Sequence, residues 1–144
     1  MFVVDTNLLI YAVDEDFAEQ RQMRQLLEQW GSASETWYLT WSIVYEFLSV
    51  STQRKAFAHA LSFSQAWDFV EGLWAFPSFD ILLETERHSD VIRELAREYP
   101  HTSGTRFHDL HIAAIMREHG ITEIRTADTD FHQFQFLRVI NPLD

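Results

Sequence analysis

No cysteine occurs in the chain, which removes disulfide bonds, thiol nucleophiles and cysteine-ligated zinc together. Glycine and proline are scarce, 4 and 3 among 144 residues, and no repeat, low-complexity tract or proline-rich linker divides the sequence. That favours a single domain over residues 1–144, long enough to bury roughly two-thirds of its unfolded surface without cross-links. No apolar run approaches membrane-spanning length. The amino terminus enters a strand almost at once, without the basic start, apolar segment and small-residue cleavage site of a signal peptide, so the expected location is cytoplasmic. Lysine is nearly missing too. Lys55 is one of eleven basic residues and the other ten are arginines, the side chain that grips phosphate and carboxylate in bidentate fashion. Net positive charge is absent: 22 acidic residues bring the balance to −11 and the sequence pI to about 4.9, the opposite of a DNA-binding module with a basic face.

What the chain does have is carboxylates where a fold tolerates them only for a reason. Phe2-Val3-Val4 runs straight into Asp5-Thr6-Asn7, so an acid sits where a buried strand ends, the place at which open α/β sheets bind ligands. Glu46 lies three residues after Ile43 and four before Val50, on the apolar stripe of a helix, and is expected to face inward. Asp109 shares a stripe with Ile112, Ala113 and Met116. Asp128 and Asp130 follow a late strand. Any one of these acids has an ordinary explanation as a turn residue, a helix cap or an arginine partner. Together they need another. Burying a single unpaired carboxylate costs roughly several kcal/mol, so a chain that collects five is expected to gather them around a cation, and an all-oxygen set suits Mg²⁺ or Mn²⁺ better than Zn²⁺. Setting those five aside leaves a balance of −6, and bound divalent ions would let phosphate approach.

Hydrophobic residues at 47%, with 15% aromatic, are globular values. Short β-rich runs alternate with helical patterns, which predicts a parallel sheet covered by helices on both faces. Strands are expected at residues 2–5, 37–40, 79–83, 123–126 and 138–140. A helical turn is expected at 8–13, and helices at about 17–30, closed by Gly31, at the segment bearing Glu46, capped by Ser42, and at 63–73, 84–99 and 107–119. Pro100 stops the penultimate helix and Gly120 the last.

Four segments sharpen this reading: Val3-Val4-Asp5-Thr6-Asn7, Ser42-Ile43-Val44-Tyr45-Glu46-Phe47-Leu48, His108-Asp109-Leu110-His111-Ile112-Ala113-Ala114 and Thr126-Ala127-Asp128-Thr129-Asp130-Phe131. In order and spacing they resemble the PIN-domain family over essentially the whole chain, and within it the VapC toxins, down to Asn141-Pro142-Leu143 after the last strand. The resemblance implies a Mg²⁺- or Mn²⁺-dependent endoribonuclease, a homodimer, held in check by a cognate VapB-like antitoxin. It also implies the acidic set Asp5, Glu46, Asp109 and Asp128 or Asp130, with Thr6, Asn7 and Thr126 orienting the acids or contacting the ligand.

Other chemistries fit less of the chain. His108 and His111, three apart on one helix, have the spacing of a zinc pair, but no third imidazole follows at a matching distance. A His-Asp pair also occurs in HD-domain phosphohydrolases, whose all-helical fold conflicts with alternating strands. An aspartyl-phosphate-forming phosphatase, or a non-enzymatic phospho-acceptor signalling domain, wants paired acids on a strand end with a lysine near the site, and Lys55 is far from any strand end. The five tryptophans suit core or interface packing better than base stacking.

Overall fold

A computed structural model describes all residues 1–144. Five strands form one parallel sheet in the order β3-β2-β1-β4-β5: β1 is Phe2–Val4, β2 Trp37–Thr40, β3 Phe79–Leu82, β4 Glu123–Arg125 and β5 Arg138–Ile140. Six helices connect them: α1 Thr6–Val13, α2 Gln20–Ser32, α3 Trp41–Ser51, α4 Phe63–Leu73, α5 His88–Glu98 and α6 Arg106–Glu118. A 3-10 turn, Asp130–Gln133, lies between β4 and β5. Val3 faces Tyr38 on one side and Ile124 on the other. Phe2, Val3 and Val4 are all buried; because successive side chains point to opposite faces, both faces of the sheet are covered, as expected. One contiguous core of 33 buried residues runs through the molecule, so there is no second hydrophobic centre. No helix is long and apolar enough to cross a membrane.

The chain leaves β1 toward β2 and β3, then returns to the far side of β1 as β4. The order therefore reverses between β1 and β4, and the carboxyl ends of these two strands open a crevice at that switch point. Asp5 follows one of them and Thr126 the other.

Several boundaries differ from the sequence expectation for identifiable reasons. Gly31 does not close α2, which continues to Ser32. A Cβ at this position would lie 2.1 Å from Cδ1 of Phe76, so the glycine admits a ring instead of ending a helix. Thr40, not Ser42, caps α3, its Oγ1 accepting from the Ile43 N–H at 3.3 Å. Residues 14–19 form turns before α2, with Phe17 packed edge-on against Tyr11 at 4.7 Å. Helix α5 starts at His88 and not Glu84, because Thr85 is held elsewhere, as described below. Gly120 does follow α6 with a φ of 66°, the left-handed conformation that glycine adopts without a Cβ penalty.

Candidate active site

Asp5 ends β1 by capping α1. Its Oδ1 accepts the Thr6 N–H at 2.7 Å, satisfying an otherwise orphaned helix donor. Its Oδ2 accepts from the Thr126 hydroxyl at 2.7 Å and from the Asn7 side-chain amide at 3.0 Å. Asn7 also donates to Thr126 Oγ1 at 2.9 Å, and its Oδ1 accepts the Ala127 N–H at 3.1 Å. Thr126 Oγ1 in turn accepts the Asp128 N–H at 3.0 Å. The ends of β1 and β4 are thus tied by side chains as well as by the Asp5 N–H to Arg125 C=O bond of 3.0 Å. Thr6 reaches the other way, its hydroxyl donating to Glu46 Oε2 on α3 at 2.8 Å.

A cleft of about 500 Å³ opens over this junction, and all five candidate acids line it: Asp5, Glu46, Asp109, Asp128 and Asp130. Thr6, Asn7, Thr105 and His108 complete its polar wall, and Ile10, Tyr11, Phe17 and Val50 form an apolar one. No lysine or arginine lines it. Asp5 is buried and Asp109 half-buried, but Glu46, Asp128 and Asp130 are exposed at the rim. The inward orientation expected for Glu46 is therefore incorrect. Helical spacing put it on the edge of the stripe, and Ile43, Val44 and Phe47 fill the buried face instead. After β4 the chain turns: Asp128 Oδ1 accepts the Asp130 N–H at 3.2 Å as the chain enters its 3-10 turn, and both acids line the cleft.

Burial pushes the Asp5 carboxyl up from 3.8 to about 6, against the opposing pull of the Thr126 and Thr6 bonds, with the Glu46 and Asp109 charges adding to the rise. Asp109 also rises to about 6, through burial first and then through Asp130, Asp128 and Glu46, with His108 opposing. The acids feel one another, as like charges in a shared site do. Their oxygen donors are of the kind that hard divalent cations take. As the side chains lie, no three of them stand close enough together to hold an ion by themselves. Asp5 and Asp109 lie inside the cleft and could contribute oxygens to such an ion, with Asp128, Asp130 and Glu46 around the rim.

His108 faces the cleft, but His111 does not join it. Its Nε2 lies 2.7 Å from Glu84 Oε1, so the two imidazoles serve different places. A second polar network escaped the sequence reading. The Glu118 side chain is completely buried and accepts from the Thr85 N–H and hydroxyl, each at 2.8 Å, with His88 Nδ1 at 2.6 Å. Arg87 donates to the Glu118 carbonyl at 2.6 Å. This network staples the β3–α5 turn to α6. Its only sequence signal is a glutamate four residues after Ala114, on the apolar stripe of α6.

The PIN domain family model matches residues 2–137. Ribonuclease VapC43 of Mycobacterium tuberculosis is 35% identical over 144 residues, covering 100% of this chain and 97% of its own length. Ribonuclease VapC33 of the same organism is 30% identical over 146 residues, with 99% of each chain covered. Among solved structures, M. tuberculosis VapC20, a sarcin-ricin-loop-cleaving toxin, superposes with a TM-score of 0.62 at 17% identity, over 92% of this chain and 94% of that one. The DNA-bound VapBC complex of Salmonella typhimurium gives 0.60 at 17% identity, over 96% of each. These two likenesses are of fold.

Proposed function

Because the chain belongs to the PIN-domain family, in its VapC branch, we propose that it is a Mg²⁺- or Mn²⁺-dependent endoribonuclease and the toxin of a toxin–antitoxin pair. The observation that carries this reading is the convergence of all five acids on one cleft at the sheet's switch point. A divalent cation held there would lower the pKa of a water and offset the charge developing on the phosphoryl oxygens. Asp5 and Asp109 would hold the cation. Thr126 and Asn7 fix the Asp5 carboxylate before substrate arrives, and Thr6 does the same for Glu46. Asp128, Asp130 and Glu46 orient water and accept its proton. Neither cysteine nor lysine lines the cleft, and in this reading the nucleophile is water.

The same cleft suits an arginine of a VapB-like antitoxin, whose guanidinium would form bidentate bonds with carboxylates and compete with the cation. Ile10, Tyr11, Phe17 and Val50 offer the apolar footing beside it. The protein is a homodimer in this reading, with the aromatic side chains of the segment from Trp67 to Phe79, among them the exposed Trp74, available for its apolar contact. The test is to incubate the purified chain, free of antitoxin, with total RNA and Mg²⁺ and to map new ends. Discrete new ends that vanish when the product of an adjoining small gene is added support the reading; intact RNA in both Mg²⁺ and Mn²⁺ refutes it.

A further inference from the structure

Beside the acidic cleft lies a second depression of about 400 Å³. Glu46 and His108 line both, so the two form a continuous trough with those side chains as the ridge between them. Ser42, Tyr45 and Ser49 of α3 and His108 and Ile112 of α6 shape the second part. Its chemistry differs from that of the first. Glu46 is its single carboxylate, and it lacks lysine and arginine as well; what it offers is hydroxyls, an imidazole and a ring. Tyr45 is 68% exposed, an aromatic side chain that nothing in the chain covers. Its nearest aromatic neighbour, Trp41, sits 6.5 Å away and tilted by 54°, so no parallel ring closes either of its faces. Ser42 Oγ shares one hydrogen bond with Thr40 Oγ1 at 2.8 Å and keeps capacity for another. A pocket with neutral donors and acceptors, an open aromatic face and a volume in the range of small-ligand sites suits a planar, uncharged, polar group.

We propose that this depression is a base-binding subsite: it receives the nucleobase adjoining the scissile phosphodiester, stacked on Tyr45 with its edge toward Ser42, Ser49 and His108. The subsite rests on the ribonuclease reading of the acidic cleft. Proteins reach single-stranded RNA by stacking splayed bases on aromatic rings and bonding to their edges. A base seated here would hold the strand across the Glu46–His108 ridge, with its phosphate over Asp5 and Asp109.

Binding of a short single-stranded RNA spanning the mapped cut site is measured in an Asp109→Asn background, which keeps the strand intact. Tyr45→Ala should weaken binding about tenfold, within what one base–aromatic stack contributes, and Tyr45→Phe, which keeps the ring, should restore it. In the otherwise native protein, Tyr45→Ala should relax the nucleotide preference on one side of the cut only. If the native protein cuts RNA and Tyr45→Ala changes neither affinity nor pattern, the subsite is wrong and the ribonuclease reading stands. If the native protein cuts no RNA, both fall. Sedimentation showing that Tyr45→Ala turns a dimer into a monomer, with affinity lost only as the dimer is, would assign Tyr45 to a subunit contact and overturn the subsite.

Discussion

The Thr126 hydroxyl donates to Asp5 Oδ2 at 2.7 Å across 121 positions of sequence, and Thr126 is itself completely buried. This bond joins the two strands between which the sheet reverses its order, and it is the largest influence restraining the rise of the Asp5 pKa. Thr126→Val keeps the shape and removes the donor. Asp5 should then titrate above its present value of about 6, and the fold should lose about 1–3 kcal/mol, because the Asn7 amide and the Asp128 N–H lose the Thr126 hydroxyl as an acceptor while Asp5 Oδ2 keeps only the bond from Asn7. NMR titration of the Asp5 carboxyl together with denaturant unfolding reads both effects; an unchanged titration would mean that the bond does not tune this acid.

Asp109→Asn should abolish RNA cleavage and leave the fold intact, because shape is kept while a charge repelled by Asp130, Asp128 and Glu46 is removed. The pH dependence has a definite sign. A carboxyl whose folded pKa lies near 6, above its ordinary 3.8, favours the folded state below about pH 4 and loses that advantage as pH rises through 6. In the absence of divalent cation, the melting temperature of Asp109→Asn should therefore draw ahead of the native protein between about pH 4 and 7. A gap that is constant, or that widens toward acid, contradicts the shared site.

Much of this arrangement was legible because a few residues carry unambiguous signals. Asp5 at the end of an apolar triplet marks both the end of β1 and the switch-point site, and Gly120 after an apolar helix marks the end of α6. The errors arise where tertiary contacts outweigh local pattern. Spacing alone assigned Glu46 to the buried stripe, yet a stripe has edges, and only the Thr6 hydroxyl from another element shows where the carboxylate points. Gly31 has the composition of a helix stop, but Phe76, 45 positions away, is what requires it. Glu118 reads as a surface glutamate near a helix end, and its partners Thr85 and His88 are about 30 residues distant.

That buried glutamate gives a prediction independent of the cleft. Burial works to raise the Glu118 pKa, but the bonds from His88 and Thr85 outweigh it and hold the carboxyl below its ordinary range. Glu118→Ala leaves those donors unpaired and should cost about 2–4 kcal/mol in denaturant unfolding, with cleavage retained as long as the protein is folded. A group with a depressed pKa contributes stability above its ordinary value and loses it as pH falls through the folded one. The gap between variant and native protein should accordingly narrow in acid; a loss that is the same at every pH would show packing, not charge, at work.

The central claim, that these acids hold a divalent cation which the cleavage of RNA requires, is tested most directly by cleavage of one defined RNA by the purified native chain in excess EDTA, followed by readdition of cations. The account predicts no cleavage in EDTA, recovery with Mg²⁺ or Mn²⁺ but not with Ca²⁺, and no recovery for Asp5→Asn under any of them. Cleavage at full rate in EDTA, or recovery by Asp5→Asn equal to that of the native chain, would contradict it.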